Sequence, residues 1–199
     1  MSKMGPSGGS AGSARQMNVG VVNRIKAIDA IRIMFERNGQ PERTPMWGGS
    51  GGGFNEAISK MGPSGGSGGG AREMNVDGVS RINKLIVRHG GAIDAIRIMF
   101  ERNGQPEWTP MWGGSGGGFT EINLGPDEHL ISVEGHYGKF QDWLLIRSLT
   151  FVSNRHTYGP YGRQEGTSFS LPADNGQIVG FHVRSGKYID AIGTYVRRP

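Results

Sequence analysis

The sequence predicts an all-β fold, and three observations carry that prediction. Short apolar segments of β-type composition recur through residues 59–199, glycine-rich turns separate them, and the clearest segment alternates apolar with polar residues. With 36 glycines in 199 residues and 35% hydrophobic content, much of the chain is turn and loop around a modest core. Periodicity leaves a barrel, a sandwich and a prism open.

Taken in order, Leu85-Ile86-Val87 is the first strong segment, an uninterrupted apolar run. In Ile96–Phe100, Ile96, Ile98 and Phe100 alternate with Arg97, Met99 and Glu101, the signature of a strand with one face buried. Leu130–Val133, Leu144–Val152, Ser168–Leu171, Ile178–Phe181 and Tyr188–Val196 come next, each rich in the branched and aromatic residues that suit a pleated surface. Gly125-Pro126-Asp127, Tyr158-Gly159-Pro160 and Asp174-Asn175-Gly176 punctuate them at hairpin spacing.

The chain repeats itself. Residues 2–26 match 59–83, and 27–57 match 92–122, so the N-terminal third duplicates the middle third. The eight residues Lys84–Gly91 have no counterpart in the first copy, and neither have residues 123–199. Residues 1–58 are therefore expected to be a truncated partial repeat, disordered or loosely packed, and residues 59–199 a complete domain. Exchange of the fragment for its twin in another molecule is an alternative.

Within the complete unit, Gly-Gly-Ser-Gly-Gly occurs at 65–69 and again at 113–117, and Gly-x-x-x-Asp occurs at 90–94 and 186–190. Glycine permits positive φ and bare backbone donors, and a nearby carboxylate accepts from hydroxyls. Donors set beside one acceptor suit a sugar, so the pattern points to carbohydrate binding and not to catalysis. A general acid and base are not brought together by any motif. Gly66-x-Gly68-x-x-Ala71 lacks the preceding strand of a dinucleotide site. His89, His129, His136, His156 and His182 show no metal-ligand spacing and read as hydrogen-bonded or surface groups, with His89 the one placed to flank a pocket. No cofactor, metal or catalytic residue is expected.

The formal charge of +5 is spread thinly: residues 59–199 carry 15 basic against 13 acidic side chains. Arg72, Arg81, Arg88 and Arg97 read as solvated strand faces, and no nucleic-acid partner is expected. Zero cysteines, no Asn-x-Ser/Thr acceptor and no apolar leader or spanning run lead to the expectation of a soluble cytoplasmic protein without membrane insertion.

Met61–Gly69, Ile146–Phe151, Thr157–Gly162, Gly166–Pro172 and Gly180–Gly193 resemble the jacalin-related lectins, in family order across roughly 140 residues. The resemblance implies a β-prism I, three four-stranded Greek-key sheets about a pseudo-threefold axis, with residues 59–199 as the lectin domain. It implies a primary sugar pocket formed by Gly69 with Gly186, Lys187, Tyr188 and Asp190. There the Asp190 carboxylate would bridge two hydroxyls, backbone N–H groups would donate to sugar oxygens, and the Tyr188 ring would add an apolar wall. The remaining loops resemble the second pocket of some mannose-binding members and would combine Gly116 and Gly117 with Gly91, Ala92 and Asp94.

Galactose-preferring members are processed to leave a free chain terminus at the first glycine loop. This chain runs on through Met61–Gly70, so the resemblance favours mannose, glucose and mannose-rich glycans as partners. Weak single sites would make a homo-oligomer useful through avidity. The competing expectation is a structural or protein-interaction β domain with a degenerate sugar pocket, in which Trp108, Trp112 and Trp143 would furnish an interface.

Overall fold

The computed structural model describes residues 57–198, together with the backbone of four short strands nearer the N-terminus. The chain divides into two compact units, Met1–Asn55 and Glu56–Pro199. In the first unit, β1 (Ala30–Ile31) pairs with β4 (Trp47–Gly48), and β2 (Met34–Arg37) pairs with β3 (Gln40–Arg43). Their registers, Ala30 opposite Gly48 and Met34 opposite Arg43, repeat those of Ala95 opposite Gly113 and Met99 opposite Trp108 in the second unit. Duplicated sequence thus reappears as duplicated pairing. The rest of residues 1–56, and with it the expectation about the fragment's order, lies outside the described residues.

Thirteen strands make up the described residues of the second unit. These are β5 (Ile58–Gly65), β6 (Gly70–Glu73), β7 (Val79–His89), β8 (Ile93–Arg102), β9 (Gln105–Trp108), β10 (Trp112–Gly113), β11 (Gly118–Asn123), β12 (Leu130–Phe140), β13 (Trp143–Ser153), β14 (Thr157–Gly162), β15 (Thr167–Pro172), β16 (Gln177–Ser185) and β17 (Ile189–Arg197). Three antiparallel sheets result, in the orders β5-β17-β16-β6, β10-β8-β7-β11 and β14-β13-β12-β15, with β9 added beside β8. The second and third sheets each form a Greek key, and the first is the same key completed by strands from the two ends of the unit. Strands β17, β8 and β13 therefore hold equivalent places.

The inner strands β7, β8, β12, β13, β16 and β17 touch across sheets and enclose one core. Leu85, Ile96, Ile98, Leu149, Phe151 and Phe181 are fully buried there, and Phe151 meets Phe181 edge-on at 6.2 Å across the third and first sheets. The alternation of Ile96, Ile98 and Phe100 places all three inside, while Arg97, Met99 and Glu101 are half-buried.

Every sequence-predicted segment coincides with a strand, Tyr188 alone lying one residue ahead of its own, but several strands were not visible in the sequence. β6 and β9 are exposed at every position, so they carry no apolar alternation. Tyr158-Gly159-Pro160 is a correction: it lies inside β14 and is not a turn. The strand tolerates Pro160 because β14 is the edge of its sheet, where a missing donor costs no ladder bond; Pro63 on the edge strand β5 is the same case.

Candidate functional site

Each key presents a glycine-bearing loop to the start of its equivalent inner strand. Gly66 N–H donates to Asp190 O at 2.8 Å, Gly114 N–H to Asp94 O at 3.0 Å and Arg163 N–H to Arg147 O at 2.8 Å. Just before each donor stands a glycine with positive φ: Gly65 at 128°, Gly113 at 110° and Gly162 at 84°. Asp190, Asp94 and Arg147 are thus one position seen three times.

In the first key, Asp190 is only 3% exposed although its side chain is charged. Gly68 and Gly69 lie directly against it: a Cβ on Gly68 would fall 2.4 Å from Oδ1, and one on Gly69 2.5 Å from Oδ2. Only bare backbone fits over this carboxylate, and Gly69 reaches it at φ 60°. A Cβ at Gly186 would meet Gly69 Cα at 3.8 Å, and Gly186 N–H donates to Tyr188 O at 3.0 Å, closing a tight turn around Lys187. The Tyr188 ring meets Phe140 edge-on at 5.7 Å, and the Lys187 ammonium stands 5.6 Å from the Tyr188 ring centre. Gly69, far away along the chain, thus shares one place with Gly186, Lys187, Tyr188 and Asp190.

The second key repeats the arrangement. Asp94 is 7% exposed, and Cβ atoms on Gly116 and Gly117 would fall 2.4 Å and 2.6 Å from its Oδ1 and Oδ2. Gly117 adopts φ 66°, and Gly90 N–H donates to Ala92 O at 3.0 Å. Ala92 is buried, and Gly91 lies under the Phe140 ring, which a Cβ would meet at 2.7 Å. His89 packs on Tyr161 at 5.1 Å and pairs with Thr120 Oγ1 at 2.9 Å. The two loop pairs adjoin, because Lys187 O occupies the space a Cβ on Gly114 would need, 2.3 Å away.

Burial pushes the carboxyls of Asp190 and Asp94 above the usual range. Arg184 and the backbone N–H groups of Asp190 and Gly186 oppose the rise at Asp190, and Arg88, His89 and Lys187 oppose it at Asp94. A buried carboxylate overlaid by bare glycine backbone is an acceptor suited to hydroxyl donors.

The third key has no such acceptor. Arg147 donates from Nε to Gly91 O at 3.0 Å, from one terminal nitrogen to Lys139 O at 2.7 Å and from the other to Glu165 Oε2 at 2.6 Å. Its guanidinium stands 5.0 Å from the Phe140 ring. The pseudo-equivalent place is filled by a satisfied cation that braces the second loop pair. Among the described residues, no group of three or more His, Asp or Glu side chains is placed to hold a metal ion.

Sequence reasoning missed two arginines. Arg184 Nε donates to Ser67 O at 3.0 Å and Gly68 O at 2.8 Å, and its Nη2 to Gly69 O at 2.8 Å. Arg88, expected on a solvated strand face, instead donates to Gly116 O at 2.8 Å, Ser115 O at 2.6 Å and Gly117 O at 3.1 Å. The available signal was the spacing: each arginine precedes the glycine of its Gly-x-x-x-Asp by two residues. Arg97 also departs from that expectation, stacking on Trp108 at 4.7 Å and donating to Thr109 O at 3.0 Å. Arg81 donates to Pro126 O at 2.6 Å and to Gly125 O.

Three Greek keys around one core, with paired glycine loops over buried aspartates, define a β-prism lectin. The Jacalin-like lectin domain matches residues 61–195. Jacalin-related lectin 3 of Arabidopsis thaliana is 42% identical over 144 residues, which are 70% of this chain and 24% of that protein. Jacalin-related lectin 19 of the same plant is also 42% identical over 144 residues, 70% of this chain and 80% of that protein. Among solved structures, a mannose binding jacalin-related lectin from Ananas comosus is 37% identical, superposes with a TM-score of 0.68 and covers 71% of this chain and 99% of its own. The chain belongs to the jacalin-like lectin domain family, and its class is that of carbohydrate-binding lectins and not of enzymes.

Proposed function

We propose that the protein binds mannose, glucose and mannose-rich glycans in two neighbouring pockets on the Glu56–Pro199 unit. The primary pocket uses Asp190 with Gly69, Gly186, Lys187 and Tyr188. The second uses Asp94 with Gly116, Gly117, Gly91 and Ala92. The observation that carries this reading is the Asp190 carboxylate, 3% exposed and overlaid by bare glycine backbone. One carboxylate accepting from two adjacent hydroxyls makes charge-assisted bonds, and fixed backbone donors lose no side-chain entropy on binding.

The preference for mannose and glucose rests on the unbroken path of the chain through β5 and the first glycine loop, which leaves no terminal amine there for an axial 4-hydroxyl. Similarity to the mannose binding protein of Ananas comosus supports the same choice. A monosaccharide held by a few hydrogen bonds exchanged against water binds weakly, and clustered glycans gain by avidity. Self-association would serve the same end, and sedimentation with and without a branched mannose glycan tests it.

Retention on immobilised mannose with elution by free mannose, and no elution by galactose, is the expected result. A folded protein that passes through the mannose column would instead favour a structural or protein-interaction domain, with the exposed Trp143 and Trp108 as its contact residues.

A further inference from the structure

We propose that Arg184 and Arg88 are positioning residues of the two sugar pockets: each grips three consecutive loop carbonyls so that the glycine backbone stays laid over its aspartate. The proposal rests on the sugar-binding reading for its consequence, but its geometry stands apart from it. Arg184 holds Ser67 O, Gly68 O and Gly69 O at 2.8 to 3.0 Å, and Arg88 holds Ser115 O, Gly116 O and Gly117 O at 2.6 to 3.1 Å. Two of the three residues each arginine holds, Gly68 and Gly69 or Gly116 and Gly117, are those on which a Cβ would run into the carboxylate oxygens of Asp190 or Asp94.

A glycine loop without a grip has many conformations to lose on binding, since glycine has the greatest backbone freedom of any residue. Gripping three carbonyls from one side fixes the peptide planes, and the loop reaches the ligand already shaped. A planar guanidinium with donors in a fixed fork does this in a way that a lysine ammonium does not. The same cation also opposes the rise that burial imposes on the carboxyl. At Asp190 the opposing charge is Arg184; at Asp94 it is Arg88, joined by His89 and Lys187.

The third key is the internal control. There the aspartate position is Arg147, and the residue opposite its successor Ser148 is His136, as Arg184 is opposite Ala191 and Arg88 opposite Ala95; His136 Nδ1 pairs with Ser148 Oγ at 3.1 Å. Carboxylate and grip are present together in two keys and absent together in the third. Clamp and acceptor form one working unit.

The test uses the full chain, with Asp94→Ala isolating the primary pocket. Methyl α-mannoside titrations there are compared with and without Arg184→Gln. We expect affinity to fall about tenfold, and the pH midpoint of binding to move upward because Asp190 loses its neighbouring cation. Arg184→Lys should return the midpoint while affinity stays low. Arg88→Gln in an Asp190→Ala chain should behave alike at the second pocket, which covers the case of one variant failing to fold.

Amide exchange at Gly68 and Gly69 gives a readout independent of sugar, and Arg184→Gln should speed it. Unchanged exchange in a folded variant would overturn the clamp whether or not mannose binds. Unchanged affinity and midpoint in a variant whose Asp190→Ala counterpart has lost binding would overturn it as well. If the parent chain ignores mannose while exchange still rises, the sugar reading fails and the clamp stands.

Discussion

Asp190 and Asp94 are buried carboxylates whose burial holds their pKa above the ordinary value, and this ties recognition to pH. Sugar hydroxyls donate to the ionised form, so mannose affinity should decline as pH falls through the raised pKa of Asp190 and recover above it; titration calorimetry from pH 7 to pH 4 reads this directly. For folding the sign is opposite. A carboxyl with a raised folded pKa binds more protons when folded, so its ionisation costs stability at neutral pH and the cost is relieved on acidification. Asp190→Asn should therefore abolish primary-site binding while leaving thermal stability equal or higher; a lower melting temperature would contradict this account. Glu128 is the converse case. Burial acts to raise its pKa, but donors from Gly125, Ser153, Tyr158 and His156 outweigh burial and hold it at about 2. Its contribution is complete above the ordinary value of 4.5 and is lost as pH falls towards 2. Glu128→Ala, which strands those donors, should cost roughly 2–4 kcal/mol by denaturant unfolding without changing sugar affinity.

At the scale of elements, the loops work because different strands of the same key fix both of their sides. Gly117 must adopt φ 66° with Asp94 Oδ2 and His89 O each 2.6 Å from the place of a Cβ, so two independent demands meet in one residue. Gly117→Ala should reduce mannose stoichiometry from two to one and cost about 1–2 kcal/mol, read by calorimetry and thermal melting. Unchanged stoichiometry would remove the second pocket from the proposal. The motif glycines and aspartates were legible in the sequence because φ and charge demands are local. Arg88 was not, because an arginine on a strand looks the same whether it faces water or the carbonyls of a loop 28 residues away. The exposed strands β6 and β9 were hidden for a related reason: these two edge strands bury no face and so carry no alternation.

At the scale of the molecule, the Glu56–Pro199 unit contains the core formed by the described residues and both loop pairs. A chain cut to that unit should fold and bind mannose with unchanged affinity and stoichiometry; loss of either would show that the N-terminal copy contributes. Composition, turn chemistry and the repeated glycine and aspartate motifs determined the all-β class and singled out the two glycine loops and the two aspartates. Those features act within a few residues, and sequence order records them. Only the tertiary structure decided that β17, β8 and β13 are equivalent, that the third equivalent place holds Arg147, and that the first and second loop pairs touch through Lys187 and Gly114. The reason is physical: a Greek key pairs strands across long stretches of chain, so neighbours at the site are set by the closure of three sheets on one core and not by separation along the backbone.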